Sequence, residues 1–392
     1  MFDAIVLGLY AGSISLLWLL TFGYVLVLRL LVFLKSKPLP RPADNPEIVV
    51  VIPTLNEEST IVQKIRDMEH SDYPKERMTL LIVDGGSTDR TLEFIKKEIS
   101  GTKGSQLVCL KNSKGKTDQV NYVLKNFGEK IVVFTDADSR LAPWCIRELV
   151  HTLINDPGTA LVGAAVRPLS NLLEERIHWT LLNYIWWLDG EVFSCAGISG
   201  VCYALNHKLF PSIAPGTIAE DIRLGLNTSA RGFRVRICRR ATAYEIRVPQ
   251  NSHEFIQFRR RRGASYMNEL VHSSAHPNPP LRWKMARLIR RWQFSWIPWF
   301  SLTLIISSCL LPFTHYGLFP LVFLAVLAFS ALGHVLLLSN RLEKNPGIWK
   351  VGKATSRYAI LTLISLLSMK RIPPLLGPLG GKVESHDNSS PA

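Results

Sequence analysis

The chain has 392 residues, 47% of them hydrophobic, and carries 46 lysines and arginines against 31 acidic residues, a net charge of +15. Much of that excess sits beside long apolar runs, where anionic lipid headgroups are nearer partners than nucleic acid, so no nucleic-acid partner is expected. The six cysteines, Cys109, Cys145, Cys195, Cys202, Cys238 and Cys309, stand singly, which disfavours a zinc site or disulfide framework and fits reduced, packed thiols.

Residues 4–28 hold no charge and exceed the roughly 20 residues needed to cross a bilayer, so they predict a transmembrane helix within 1–34. The run is too long for a signal peptide and lacks the basic leading region and cleavage site of one. A soluble block follows over 44–278. In it, residues 47–53 (EIVVVIP) and 80–84 (LLIVD) are short β-branched runs around a helical pattern from 56 to before Pro74. Strands at 106–110 and 131–134 flank a helix at 118–126. This rhythm predicts an α/β, mostly parallel sheet covered on both faces, with ligands gathering beyond the carboxyl ends of its strands.

Residues 171–189, rich in Trp and Leu, read equally as a helix in a headgroup interface and as a buried core helix. Apolar runs at 294–313 and 318–338, parted by a turn at 314–317, predict a transmembrane hairpin in a membrane region 279–372. The shorter run 358–369 predicts an interfacial or re-entrant segment. Lys35, Lys37 and Arg41 follow the first crossing; Arg282, Lys284, Arg287, Arg290 and Arg291 precede the hairpin; Arg341, Lys344, Lys350, Lys353 and Arg357 follow it. Basic loops stay cytoplasmic, so the soluble block belongs on that side of a multi-pass cell-membrane protein. Within the tail 373–392, the stretch from Lys382 is polar and predicts disorder.

The acidic signals cluster at predicted strand ends. Asp136 and Asp138 follow the apolar strand 131–134, and in an extended chain two such residues point the same way, toward one hard cation. Mg2+ or Mn2+ held there would bridge a diphosphate; a chance Asp-x-Asp in an exposed turn is the plain alternative. Asp84-Gly85-Gly86-Ser87-Thr88-Asp89 ends another strand, where free amides can face a ligand and Asp84 can accept from a base or ribose, or where a simple capped turn starts a helix. Lys114, Gly115, Lys116 and Asn121 suit phosphate oxygens, or form a solvated loop. After a loop carrying Pro215, Gly216 and Thr217, Glu220 and Asp221 offer a general base, or favour a helix start. Arg259 to Arg262 cannot all face solvent on one helix side; one of them can hold a diphosphate, or the run can bind lipid headgroups. Gly197 to Cys202 is a candidate acceptor wall.

Taken together, IPTLNEE, VDGGSTDRT, KGKTDQVN, FTDADS, IAEDIRLG and QFRRRRG, in this order over residues 48–263, resemble the successive signatures of family 2 glycosyltransferases, in particular the membrane-integrated cellulose-synthase-like and hyaluronan-synthase-like members. The resemblance implies a GT-A fold with Mn2+ or Mg2+ as cofactor. It implies donor contacts at Pro53, Thr54, Glu57 and Asp84, with Glu57 and Asp84 near the nucleoside and Lys116 near the diphosphate. It places Asp136 and Asp138 at nucleotide and metal, makes Asp221 the base of an inverting displacement, and gives Arg260 or Arg261 the leaving diphosphate. The tryptophan of the Gln-x-x-Arg-Trp pattern of processive polymerases is replaced, since Gln257 leads to Arg260 and Arg261. The expected activity is sugar transfer from a nucleotide diphosphate sugar, a UDP-sugar first among them, to a hydroxyl acceptor at the membrane in extracellular or capsular polysaccharide synthesis. A glycan acceptor is one option, and an oligomer or export partner would complete a polymer channel. A polyprenyl or other lipid acceptor is the alternative enzyme, and a non-catalytic nucleotide-binding scaffold the alternative without chemistry.

Overall fold

A computed structural model of the chain describes residues 1–35, 45–100, 104–110, 113, 115–127, 131–210, 212–214, 217–273, 278–317, 320, 322–339, 342 and 347–369. Lys37, Arg41, Lys114, Pro215, Gly216, Arg341, Lys344 and the tail 373–392 lie outside them. The first apolar run forms α1 (Phe2–Trp18) and α2 (Tyr24–Lys35), joined through a π-helical turn (Leu19–Gly23).

The soluble block is built on β1 (Ile48–Thr54), β2 (Met78–Asp84), β3 (Ser105–Cys109), β4 (Ile131–Thr135), β5 (Ser139–Leu141), β6 (Thr159–Pro168), β7 (Cys202–Asn206) and β8 (Arg234–Glu245). Their order in the single sheet is β3-β2-β1-β4-β7-β6-β8-β5. The first four strands are parallel, with Ile48 opposite Met78 on one side and Ile131 on the other. All seven residues of β1 are buried, as a strand covered on both faces requires. Val50 and Ile52 pack with α3 (Ile61–Glu69), α4 (Thr91–Ile99) and α6 (Cys145–Asn155), while Val49 and Val51 join α5 (Lys116–Asn126) and α8 (Glu220–Ala230) on the opposite face.

Beyond β4 the sheet departs from the expected parallel layer. β7 runs antiparallel to β4 and β6, and β8 then pairs parallel with β6. The signals for this half were present but unread: residues 159–166 (TALVGAAV) form an apolar run that follows Asp156-Pro157-Gly158, and a continuous apolar run marks a strand buried on both faces. The first predicted helix is also shorter than its pattern. Asn56 adopts a positive φ of 56°, and residues 56–60 stay in a loop before α3 begins at Ile61.

The Trp-rich segment is α7 (Leu173–Val192), and it is a core helix. None of its residues is exposed; Trp179 and Trp186 are buried, with the sheet on one side and flanking helices on the other. After α9 (Ser252–His272), the basic stretch expected as a loop is instead the first half of α10 (Leu281–Leu310), continuous through Pro298 into the apolar run. Arg and Lys are good helix formers, so charge alone does not interrupt the coil. The second arm of the expected hairpin is α11 (Val322–Ser339). The short terminal run extends backward as α12 (Ile348–Leu367), so Lys350, Lys353 and Arg357 are helical too. Among the described residues, 2 stretches, Phe2–Leu34 and Leu281–Phe313, are long and apolar enough to cross a membrane. They pack together: Val6, Tyr10, Ile14 and Leu17, spaced by four, four and three, meet Leu304 and Leu311. All six thiols are free, four of them buried.

Candidate active site

β4 ends at Thr135, and the chain turns at once. Asp136 is not in extended geometry, as its spacing from Asp138 suggested: the Ser139 amide donates back to the Asp136 carbonyl at 3.3 Å and the Ser139 hydroxyl at 2.8 Å, closing a tight turn into β5. Lys64 is fully buried below this turn, its ammonium donating to Thr135 Oγ1 at 2.6 Å, Ser139 Oγ at 2.8 Å and the Ser139 carbonyl at 3.1 Å. The two carboxylates remain electrostatic neighbours. Burial pushes the Asp138 carboxyl above the usual range, the Asp136 charge adds to this, and Arg247 and Lys116 oppose it. Arg247, on the segment after β8, reaches Asp138 Oδ2 with Nε at 3.1 Å and Glu57 Oε2 with Nη2 at 2.7 Å.

Lys116 opens α5 at the other flank. Its ammonium lies 2.6 Å from Asp136 Oδ1 and 2.7 Å from Glu220 Oε1. Burial works against that charge, but Asp136 and Glu220 outweigh it and hold the lysine well above its ordinary range. Asp221, next to Glu220 at the start of α8, accepts from the Gly200 amide at 2.7 Å and from the Ile222 amide at 2.8 Å. Its pKa is pushed up to about 7, by burial first and then by the Glu220 charge, with Lys116 opposing. A carboxylate so placed is a base near neutral pH.

Glycines make the convergence sterically feasible. A Cβ on Gly200 would stand 3.0 Å from Lys116 Nζ, 3.2 Å from Asp221 Oδ2 and 3.7 Å from Asp136 Oδ2. A Cβ on Gly225 of α8 would stand 3.1 Å from the Gly197 Cα, so helix and loop touch backbone to backbone. Of the stretch Gly197 to Cys202, Gly200 thus stands among the acidic side chains, while Gly197 packs on Ile222 and Tyr266. Behind it, the Tyr203 hydroxyl is buried without a partner, its ring stacked on Phe134.

The loops after β1 and β2 are fastened to each other. The Asn56 amide donates to Ser87 Oγ at 2.9 Å, the Glu57 amide to Thr91 Oγ1 at 2.7 Å, and the Thr88 amide to Asn56 Oδ1 at 2.8 Å. Asp84 is fully buried and occupied by its own turn, accepting from the Gly86 and Ser87 amides at 2.8 and 2.9 Å and from Ser87 Oγ at 2.5 Å. Pro53 lies past Val51, the last β1 residue paired with β4, and the Thr54 carbonyl takes the Gln119 amide at 2.7 Å. Glu57 is buried, and burial pushes its carboxyl above the usual carboxylate range, against the opposing effects of Thr60 and Arg247.

The arginine run divides its labour. Arg259 is buried against Glu175 at 2.9 Å, and Arg262 pairs with Glu245 while lying over Trp179 and Phe258. Arg261 is exposed and stacks over Phe258; among the described residues no ion pair joins Arg260 or Arg261 to a carboxylate. The sequence singles out Gly200 only as one member of the stretch Gly197 to Cys202, and it does not single out Lys64 or Arg247. Lys64 had a signal: with Ile61, Ile65 and Met68 it occupies the buried stripe of α3 at helical spacing.

Residues 131–338 match the family model for glycosyl transferase family group 2, and residues 49–207 that for glycosyl transferase family 2. The chain is a family 2 glycosyltransferase. This transferase is similar to the probable glycosyltransferase YdaM of Bacillus subtilis (strain 168), 24% identical over 258 residues that cover 60% of this chain and 61% of that protein. The transferase thus spans about three-fifths of the length of that relative. A Methanococcus voltae UDP-N-acetylglucosamine--dolichyl-phosphate N-acetylglucosaminyltransferase is 27% identical over 195 residues, 45% of this chain and 74% of that one. In fold, the transferase is similar to the mannosyltransferase PcManGT from Pyrobaculum calidifontis, solved in complex with GDP-Man and Mn2+, with a TM-score of 0.65 and 21% identity over 94% of this chain and 100% of that one. The fold is GT-A, Rossmann-like, with a mixed, largely parallel sheet.

Among the described residues no group of three or more His, Cys, Asp or Glu side chains converges as a metal cage. The donor set still fits a hard cation. Mg2+ and Mn2+ accept one or two carboxylates and complete their shell with substrate phosphates and water, and Asp136 and Asp138 offer two carboxylates, with Lys116 and Arg247 beside them.

Proposed function

We propose that the enzyme transfers a sugar from a nucleotide diphosphate sugar, with a UDP-sugar as the first candidate, to a hydroxyl acceptor at the membrane face, with inversion at the anomeric carbon. The observation that supports this most is Asp221, set to titrate near 7 and pinned by the Gly200 amide, one lysine away from Asp136. Asp221 takes the acceptor hydroxyl proton, the oxygen bonds to the anomeric carbon, and the bond from that carbon to the diphosphate breaks. Lys116 is within reach of the phosphates that leave, and Arg260 or Arg261 is the second cation proposed for them. Glu57, Asp84, Pro53 and Thr54 form the proposed nucleoside side. A Mn2+ or Mg2+ ion held by Asp136 and Asp138 would supply charge compensation for the departing diphosphate.

Polysaccharide synthesis at the cell membrane is the proposed setting, with the soluble block cytoplasmic. Supporting membrane association, Leu288, Trp292, Trp296 and Trp299 of α10 are exposed at helical spacing, an apolar stripe of the kind that meets lipid. A lipid acceptor is the second reading, and one contact favours it. Tyr266 of α9, beside Gly197 behind the base, touches Phe294 of α10, and Gly263 touches Met369 just past α12, so apolar helices back the acceptor side. The name of the Methanococcus voltae relative points the same way.

The test is a donor screen on purified protein with Mn2+, following released nucleoside diphosphate, with Asp221→Asn as control. Turnover is expected to fall by about 100-fold or more in that variant while donor binding persists; unchanged turnover would remove Asp221 from the role. Radiolabelled product that partitions into organic solvent identifies a lipid acceptor, and a size-excluded product a polymer.

A further inference from the structure

Arg247 is an unusual component of this cleft. It is more than half exposed, with 56% of its side chain accessible, yet its guanidinium makes two ion pairs at once, to Glu57 after β1 and to Asp138 after β4. Those carboxylates belong to different strands, so the arginine fastens the two walls of the donor cleft to each other. An exposed long side chain loses rotamer freedom when fixed this way, and a single surface pair returns little, so the arrangement holds because both pairs share one planar fork. The oxygen that Arg247 Nε faces, Asp138 Oδ2, belongs to one of the two carboxylates assigned here to the cation.

We infer that Arg247 is a competing cation: in the empty enzyme it neutralises Asp138 and holds it against Glu57, so that a divalent ion must displace it to gain that carboxylate. The other carboxylate, Asp136, is likewise taken, by Lys116. With both acids already countered by protein cations, the cleft binds free metal poorly. A nucleotide diphosphate brings its own negative charge, draws Lys116 and Arg247 toward itself, and returns the carboxylates to the ion. Metal and nucleotide then bind as a linked pair, each strengthening the other by the same factor. Arg247 is a positioning residue in this scheme.

The inference rests on Asp138 as a cation ligand, and the experiment separates the two ideas. Full-length protein in detergent is titrated with Mn2+ alone while free Mn2+ is followed by electron paramagnetic resonance, for wild type, Arg247→Met, Arg247→Lys and Asp138→Asn. Because Arg247 is at the surface, its variants keep the wild-type melting temperature. Arg247→Met, which keeps the stem and drops the charge, is expected to bind Mn2+ about three- to tenfold more tightly than wild type, and Arg247→Lys to lie within about twofold of wild type. Added UDP or GDP should tighten Mn2+ binding in wild type and do so less in Arg247→Met. A purely structural arginine predicts the opposite, so unchanged or weaker Mn2+ binding in Arg247→Met overturns the inference. Equal Mn2+ binding by wild type and Asp138→Asn in the presence of UDP or GDP would instead remove Asp138 from the metal site, and the inference with it.

Discussion

Asp221 is ionisable in the range where the enzyme would work, and this has a sign. The deprotonated form accepts the acceptor proton, so kcat/KM should rise with pH through about 7 and fall away below it, measured with saturating metal. The limb should vanish in the residual activity of Asp221→Asn. Gly200→Ala is the steric counterpart: the new Cβ meets Lys116 Nζ at 3.0 Å and Asp221 Oδ2 at 3.2 Å, and turnover should drop by about tenfold with the melting temperature preserved. The acidic members of this cluster were legible in the sequence because Asp136, Asp138 and Asp221 sit where strands end and a helix begins. Gly200 was legible only as one member of the candidate acceptor wall and Arg247 not at all, since a glycine between three side chains and an arginine bridging two loops are facts of tertiary packing. Asp84, expected as a ligand contact, accepts from Gly86 and Ser87 within its own turn, an arrangement that only the folded loop reveals.

At the scale of elements, the proposed base Asp221 is held at the start of helix α8, which lies directly on the loop before β7. Gly225→Ala would set a Cβ 3.1 Å from the Gly197 Cα, and the helix must retreat. The expected cost is about 1–3 kcal/mol of stability together with a lower turnover, read by thermal melting and by kinetics of the same preparation. The βαβ half of the sheet could be predicted because buried parallel strands such as β1 are unbroken β-branched runs. The antiparallel half escaped notice: β7 ends in polar Asn206, and β8 alternates Arg with apolar residues over Arg234 to Arg240, a pattern easily taken for a charged surface. Helix α10 was misplaced for a related reason. Its first half is basic and its second apolar, and composition suggests two segments where the backbone makes one.

Across the whole molecule, the apolar helices are joined to the catalytic block by a buried polar knot. Arg290 of α10 pairs with Asp189 of α7, and the Tyr24 hydroxyl of α2 donates to the same carboxylate at 2.5 Å. Arg290→Ala leaves Asp189 uncompensated and should lower stability by about 3–5 kcal/mol, whereas Arg290→Met with Asp189→Leu should recover most of the loss, both read by thermal melting in detergent. No spacing rule in the sequence pairs positions 101 residues apart, which is why this joint could not be anticipated. A related contact ties α10 to α8, which carries the proposed base: the Trp283 indole, near the start of α10, donates to the Leu226 carbonyl at 3.0 Å. One unbroken rod of 30 residues, about 45 Å by helical rise, therefore runs from the helix that bears the proposed base into the apolar stretch. Under the proposed membrane reading such a strut would work as a ruler: the proposed reactive centre would stand at a set altitude over the bilayer, and only substrates whose nucleophile rises to that altitude would come within range.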